Sequence, residues 1–336
     1  MRAHGTHRRR FTAFVVAAVA SLAALGATAG AVSASPPPWE PGPGGPDVIH
    51  VMHGQGARPG SGTTSSPLLA YRGGVVAQAP AVYLVFWGSQ WTNNDPSGEA
   101  AKLQNFLGGL YGAQDTWSTS TTQFCQGVAT GSTNCSSTPV TKKMITHPSA
   151  SPLLDFWPDN GVLAPTHPKQ SDLAAEAVKA AGHFGLSSGQ AANAQFVIAT
   201  AHNNNATGFG SSYCAWHSSV SATIGGLSVR LAYTNLPYIP DAGASCGANF
   251  VNKTGGSLDG VTIVEGHEYA ETVTDPYPSS GWLDANGAEN GDKCAWISSG
   301  KQGAAANITL TTGSFAVQSL WSNSFNSNAG GCVISY

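Results

Sequence analysis

His267-Glu268-Tyr269-Ala270-Glu271 sets one imidazole and two carboxylates within a single short segment. On a helix, His267 and Glu271 stand four apart and project from one face, one turn from each other. At that spacing two side chains can hold one metal ion. Glu268 lies between them. In the H-E-x-x-H arrangement of zinc metalloproteases this glutamate polarises the metal-bound water. Here Glu271 takes the second ligand position in place of a histidine. The expected cofactor is therefore a divalent metal ion, with zinc favoured and calcium as the alternative, because harder ions prefer oxygen.

The surroundings add weight. Eight of the chain's 18 acidic residues fall in the 34 positions from Asp259 to Asp292, with no lysine or arginine among them. A solvated acidic face usually interleaves cations. Crowded carboxylates without cations repel, and a bound ion is the economical explanation. The third ligand is expected from the glycine-turned loop Asp284-Ala285-Asn286-Gly287-Ala288-Glu289-Asn290-Gly291-Asp292, with Glu289 and Asp292 as candidates. That loop would also suit calcium on its own, although it lacks the full EF-hand pattern. The plainer alternative is a simple His–Glu contact on a helix, since H-E-x-x-E arises readily by chance.

These residues need a helix to carry them. Asp259 is a plausible N-cap, and Asp275-Pro276 stops the helix after Thr274. Ala81 to Trp87 and Gln195 to Thr200 are continuous apolar runs and read as buried strands. Further strands are expected at 229–233 and 316–321. Helices are expected from Asp95 to about Leu110 and from Ser171-Asp172 to about Gly185, while 112–170 reads as loop and hairpin. The order predicts an α/β (α+β-like) fold: one domain with a mixed β-sheet and packed helices, zincin-like in outline.

The N-terminus carries Arg2, Arg8, Arg9 and Arg10, then an uncharged apolar stretch to about Ala31, then Val32-Ser33-Ala34. This is the pattern of a signal peptide over 1–34. Residues 35–66 are rich in proline and glycine and read as a linker, so the globular domain is expected over 67–336. Four of the 15 basic residues lie in the leader, so 11 remain against 18 acids. That balance argues against nucleic acid, and no second apolar run is long enough for a membrane span. Six cysteines in an exported chain imply three disulfides among fifteen pairings. Cys125–Cys135 closes a short loop, and Cys214–Cys246 and Cys294–Cys332 would follow. No serine stands between glycines directly after a predicted strand, which leaves a serine hydrolase little support.

Several segments together resemble the EXORDIUM / phosphate-induced protein family of secreted proteins. They are Pro67 to Gly74, Val82 to Gly88, Gly208-Phe209 through Cys214-Ala215-Trp216-His217, and Cys246. Leu258-Asp259-Gly260 through His267-Glu268-Tyr269-Ala270-Glu271 to Asp275-Pro276 follows, then Glu289 to Cys294, Phe315 to Gln318, Trp321 and Cys332. Asp275 stands where the family tends to have asparagine. The resemblance implies an extracellular or cell-wall-associated protein and supplies no established reaction. It adds His217 to the candidate site, as an oxyanion-stabilising group or another ligand; His202 matches nothing in it. The combined expectation is a secreted, metallopeptidase-like hydrolase. His267, Glu271 and Glu289 or Asp292 would hold the metal, and Glu268 and His217 would be catalytic. Its partner would be an extracellular peptide or cell-wall polymer. The alternative is a non-catalytic wall-binding protein with a structural ion.

Overall fold

The structure is a computed structural model that describes residues 49–56 and 68–336. The expected signal peptide lies outside the described residues. Ten elements position the site. They are β1 (His50–Met52), β2 (Ala81–Trp87), α1 (Glu99–Gly109), β3 (Leu153–Asp159), α2 (Gln170–His183), β4 (Ala194–Thr200), β5 (Ala215–Ile224), β6 (Leu227–Leu236), α3 (Asp259–Thr274) and β7 (Gly313–Val317). The first six strands form one mixed sheet in the order β1-β5-β6-β4-β2-β3. β6, β4, β2 and β3 run parallel, whereas β5 and β1 complete one side antiparallel.

Helices cover both faces, which is why β2 and β4 read as unbroken apolar runs. Val82, Leu84 and Phe86 of β2 pack into one core with Leu103 and Phe106 of α1 and Val261 and Val264 of α3. Tyr83, Val85 and Trp87 point the other way, against Leu173, Ala177 and Ala180 of α2. Side chains alternate along a strand, so one apolar sequence feeds two cores. The Asp95 carboxylate accepts the first amides of α1, from Glu99 and Ala100, at 2.8 and 3.0 Å. The Asp172 carboxylate accepts the Lys169 amide at the start of α2, at 2.9 Å.

α3 is buried along all 16 residues. Val261, Thr262, Ile263, Val264, Thr272, Val273 and Thr274 are β-branched and favour helix poorly, so burial decides its conformation. Each fully buried valine or isoleucine contributes about 1.5–3 kcal/mol. Asp259 is the helix's first residue rather than its cap; its carboxylate accepts the amides of Val251 and Asn252 at 2.8 and 2.7 Å, anchoring the preceding loop. At Gly260 an added Cβ would come within 2.0 Å of the Cys246 carbonyl, so the helix start is pressed against that cysteine. The three disulfides are Cys125–Cys135, Cys214–Cys246 and Cys294–Cys332, the pairings expected from the sequence.

Four differences from the sequence reading have physical reasons. β1 lies inside the stretch that composition assigns to a linker; it is a three-residue edge strand held by pairing with β5, not by its own pattern. β3 lies in the region read as loop; its outer face is exposed and it carries Pro158, both tolerated at a sheet edge. β5 has a polar sequence because its inner half lines the site described next. The expected strand over 316–321 is two strands, β7 and Leu320–Ser322, parted at Gln318-Ser319.

Candidate metal centre

His50 and His217 are direct partners in the β1–β5 pairing. Directly opposed residues share a face, and their ring centroids lie 5.8 Å apart. α3 brings His267, Glu268 and Glu271 beneath that edge. The 284–294 loop folds back onto α3 and adds Glu289 and Asp292. The Asp292 amide donates to Glu271 Oε1 at 2.9 Å, fixing the loop to the helix. Gly291 permits this approach, because a Cβ there would meet His267 Nδ1 at 2.8 Å and Glu271 Oε1 at 2.9 Å. The Cys294–Cys332 disulfide ties down the loop's far end.

Two groups of ligand atoms result, and either could hold a metal ion: His50, His217, Glu271 and Glu289; and His267, Glu271 and Asp292. In the first, Glu289 Oε2 is 2.9 Å from His50 Nδ1 and 2.8 Å from His217 Nε2. Glu271 Oε2 lies 3.5 and 3.6 Å from the same two nitrogens. In the second, His267 Nε2 is 3.0 Å from Glu271 Oε1 and 3.8 Å from Asp292 Oδ1. The side chains of His217, His267, Glu271 and Glu289 are fully buried; His50 and Asp292 are 16% and 19% exposed and form the rim.

Several of these atoms are close without being aligned for hydrogen bonds. His50 Nδ1, His267 Nε2, Glu271 Oε2 and Glu289 Oε1 are buried with no hydrogen-bond partner. Such atoms are costly unless something satisfies them. The outer nitrogens of His50 and His267 are held, whereas Nδ1 of His217 is buried without a partner. His50 Nε2 donates to the Gly287 carbonyl at 3.1 Å. His267 Nδ1 donates to Gln318 Oε1 at 3.2 Å, and Gln318 Nε2 donates to the Gly291 carbonyl at 2.8 Å. Metal-bound histidines are oriented this way, with one nitrogen fixed by an outer partner and the other free for the ion.

The charges lock together in the metal-free protein. Burial alone would lower the three histidines, but the facing carboxylates outweigh it. Glu289 and Glu271 hold His50 well above its ordinary range and His217 at about 10, and Glu271 holds His267 at about 9. Glu271 is driven well below the usual carboxylate range: burial opposes this, but His267 and its fellow histidines prevail. Burial, and then the charge of Glu271, raise Asp292 to about 6. Glu268 is fully buried with neither oxygen hydrogen-bonded. Burial pushes it to about 8 against the pull of His267 and His217. A carboxyl that titrates near neutrality suits proton transfer. Asp275, raised by burial and by neighbouring Glu289, accepts the amides of Ser280 and Gly281 and ends α3 beside the cluster.

All six residues singled out from the sequence thus meet around one point or border it. His217 sits among the ligand atoms rather than outside them. Glu289 and Asp292, alternatives for one position in the sequence, both take part, Glu289 in the group with His50 and His217 and Asp292 in the group with His267. Asp284, the first acid of the loop, is paired with Lys293 Nζ at 2.8 Å and accepts the Asn286 amide at 2.8 Å. It contributes to neither ligand group, and Glu289 and Asp292 turn to the helix rather than toward it. His202 pairs with Asp241 away from this cluster. Sequence reasoning missed His50, whose only local signal is a histidine within a short apolar segment. It also passed over Gln318 as an outer-shell group. Gly185-Leu186-Ser187-Ser188-Gly189 spells G-x-S-x-G, but Ser187 caps the short helix Ser188–Ala192 and follows α2, not a strand.

Among the described residues, no helix is long and apolar enough to cross a membrane. Comparison with protein families, with curated proteins and with solved structures returns no match to this chain.

Proposed function

We propose that this protein is a secreted, metal-dependent hydrolase of metallopeptidase-like chemistry. The observation that supports it is the convergence of His267 Nε2, Glu271 Oε1 and Asp292 Oδ1 beside the unpartnered carboxyl of Glu268. Three protein ligands leave a coordination position for water, as catalytic sites do. His267, Glu271 and Asp292 would hold the ion, which when bound would supply Lewis-acid activation of a water, and Glu268 is placed to take that water's proton and pass it to the leaving group. The substrate, a peptide or wall polymer, would approach at Asp292 and His50, the partly exposed side chains of the cluster, 19% and 16% exposed. Three disulfides suit an oxidising compartment, and the resemblance to the EXORDIUM family points the same way.

One observation favours a second reading. His50, His217, Glu271 and Glu289 make a four-ligand set, the form of a structural ion. An ion held there alone would serve the fold of a non-catalytic wall protein. Glu268→Gln separates the two. In the hydrolase, kcat on a quenched peptide library falls about 10²–10⁴-fold while metal content and melting temperature hold. Purified protein that carries metal but shows no chelator-sensitive hydrolysis, with Glu268→Gln indistinguishable from wild type, sinks the catalytic reading.

A further inference from the structure

We infer that the cluster binds two divalent cations at once, bridged by the two oxygens of Glu271. The inference rests on the metal-site reading above and deepens it to a dinuclear centre. Glu271 is the residue common to both ligand groups, and its two oxygens lie nearest different histidines. Oε2 faces His50 and His217, at 3.5 and 3.6 Å. Oε1 faces His267 at 3.0 Å. Asp292 also spans the two halves, with Oδ1 3.8 Å from His267 Nε2 and Oδ2 3.5 Å from His50 Nδ1.

The spacings are those of coordination polyhedra. Donor atoms about 2.1 Å from an ion stand about 3.0 Å apart at right angles and about 3.4 Å apart in a tetrahedron. The contacts within each half, 2.8–3.6 Å around Glu289 and Glu271 and 3.0–3.8 Å around His267, bracket both values. The six side chains fall into two groups of mutually close ligand atoms rather than one, which two ions about 3.5–4 Å apart, the usual separation in two-metal hydrolases, would match.

The ligand-facing orphaned atoms divide in the same way. His50 Nδ1 and Glu271 Oε2 lack partners in one half and His267 Nε2 in the other, so filling a single half leaves a buried polar atom in the second. Charge agrees. The carboxylates of Glu271, Glu289 and Asp292 carry three negative charges. One divalent ion leaves a net negative charge in an enclosed site, whereas two ions with one hydroxide between them leave none. The first half offers four protein ligands and the second three, so a water would take the position left in the second, near Glu268.

The test is a metal count on the intact secreted chain, stripped with chelator and reloaded with Zn²⁺, paired with electron paramagnetic resonance of the Mn²⁺-loaded protein. Two zinc equivalents per chain and an exchange-coupled Mn²⁺ pair are expected, and Asp292→Ala is expected to lose one equivalent and the coupling. One equivalent in wild type overturns the dinuclear centre and leaves the hydrolase proposal standing, whereas none overturns both. Two equivalents with uncoupled Mn²⁺ spectra overturn the Glu271 bridge. The wild-type measurements need no variant, so poor folding of Asp292→Ala would not protect the idea.

Discussion

His50 and His217 face each other across the antiparallel β1–β5 pair, and this register builds half of the candidate centre. Pairing fixes it: a slip of one residue would turn either imidazole to the opposite face of the sheet. Helix α3 and its loop then need only meet that edge. The strand at His50 is short, but it supplies one of the two partly exposed side chains at the rim of the site.

Metal binding should release protons and strengthen as pH rises. Without metal, His217 titrates at about 10 and His267 at about 9. His50 also lies well above its ordinary value. Near pH 7 all three carry the proton an ion must displace. The sign is fixed, because lowering pH from 9 to 6 favours the protonated imidazoles and weakens binding. Calorimetry in buffers of different ionisation heat should show net proton release on Zn²⁺ addition at pH 7. Proton uptake, or affinity that rises toward acid, would contradict this electrostatic picture.

The outer shell should matter nearly as much as the ligands. Gln318→Leu removes the acceptor for His267 Nδ1 and the donor to Gly291. The expected result is metal affinity weaker by about 10–100-fold with the fold intact, read by competition with a chelating dye. Unchanged affinity would mean that Gln318 only fills space.

Glu99 gives a pH-dependent stability that is independent of the metal. It is fully buried, with Oε2 accepting the Ile239 amide at 2.9 Å and Oε1 unpartnered. Burial holds it well above the carboxylate range, against the pull of that amide. A carboxyl raised in this way favours the folded state below its unfolded value, and that contribution is lost as pH rises toward its folded one. Glu99→Gln should therefore flatten the fall in melting temperature between pH 5 and 8. A variant whose curve runs parallel to wild type would refute this assignment.

The Cys294–Cys332 bridge links positions 38 apart and anchors the ligand loop. Replacing both cysteines with serine should cost about 4 kcal/mol by chain entropy, seen as a lower midpoint in urea. It should also weaken metal binding, because Glu289 and Asp292 lose their tether. Loss of stability without loss of affinity would show that the loop is held by its helix contacts alone.

Much of the centre was legible in the sequence because its signals are local. The His267–Glu271 spacing needs only a helix, and Asp275-Pro276 marks its end. The crowding of acids without cations shows that charge has to be balanced by something outside the local chain. The apolar runs at Ala81–Trp87 and Gln195–Thr200 announce a sheet buried on both sides. Cysteine spacing gave pairings that the structure bears out.

What tertiary structure alone decided is long-range. His50 joins the cluster through a strand whose pairing partners lie 163–167 positions away, which no local periodicity encodes. The division of Glu289 and Asp292 between two ligand groups depends on the loop folding back onto the helix. Gln318 becomes an outer-shell residue because a strand breaks beside the helix. Sequence pattern specifies elements through nearby side chains, whereas a metal centre requires atoms from distant elements to converge within a few ångströms, and only packing sets that distance.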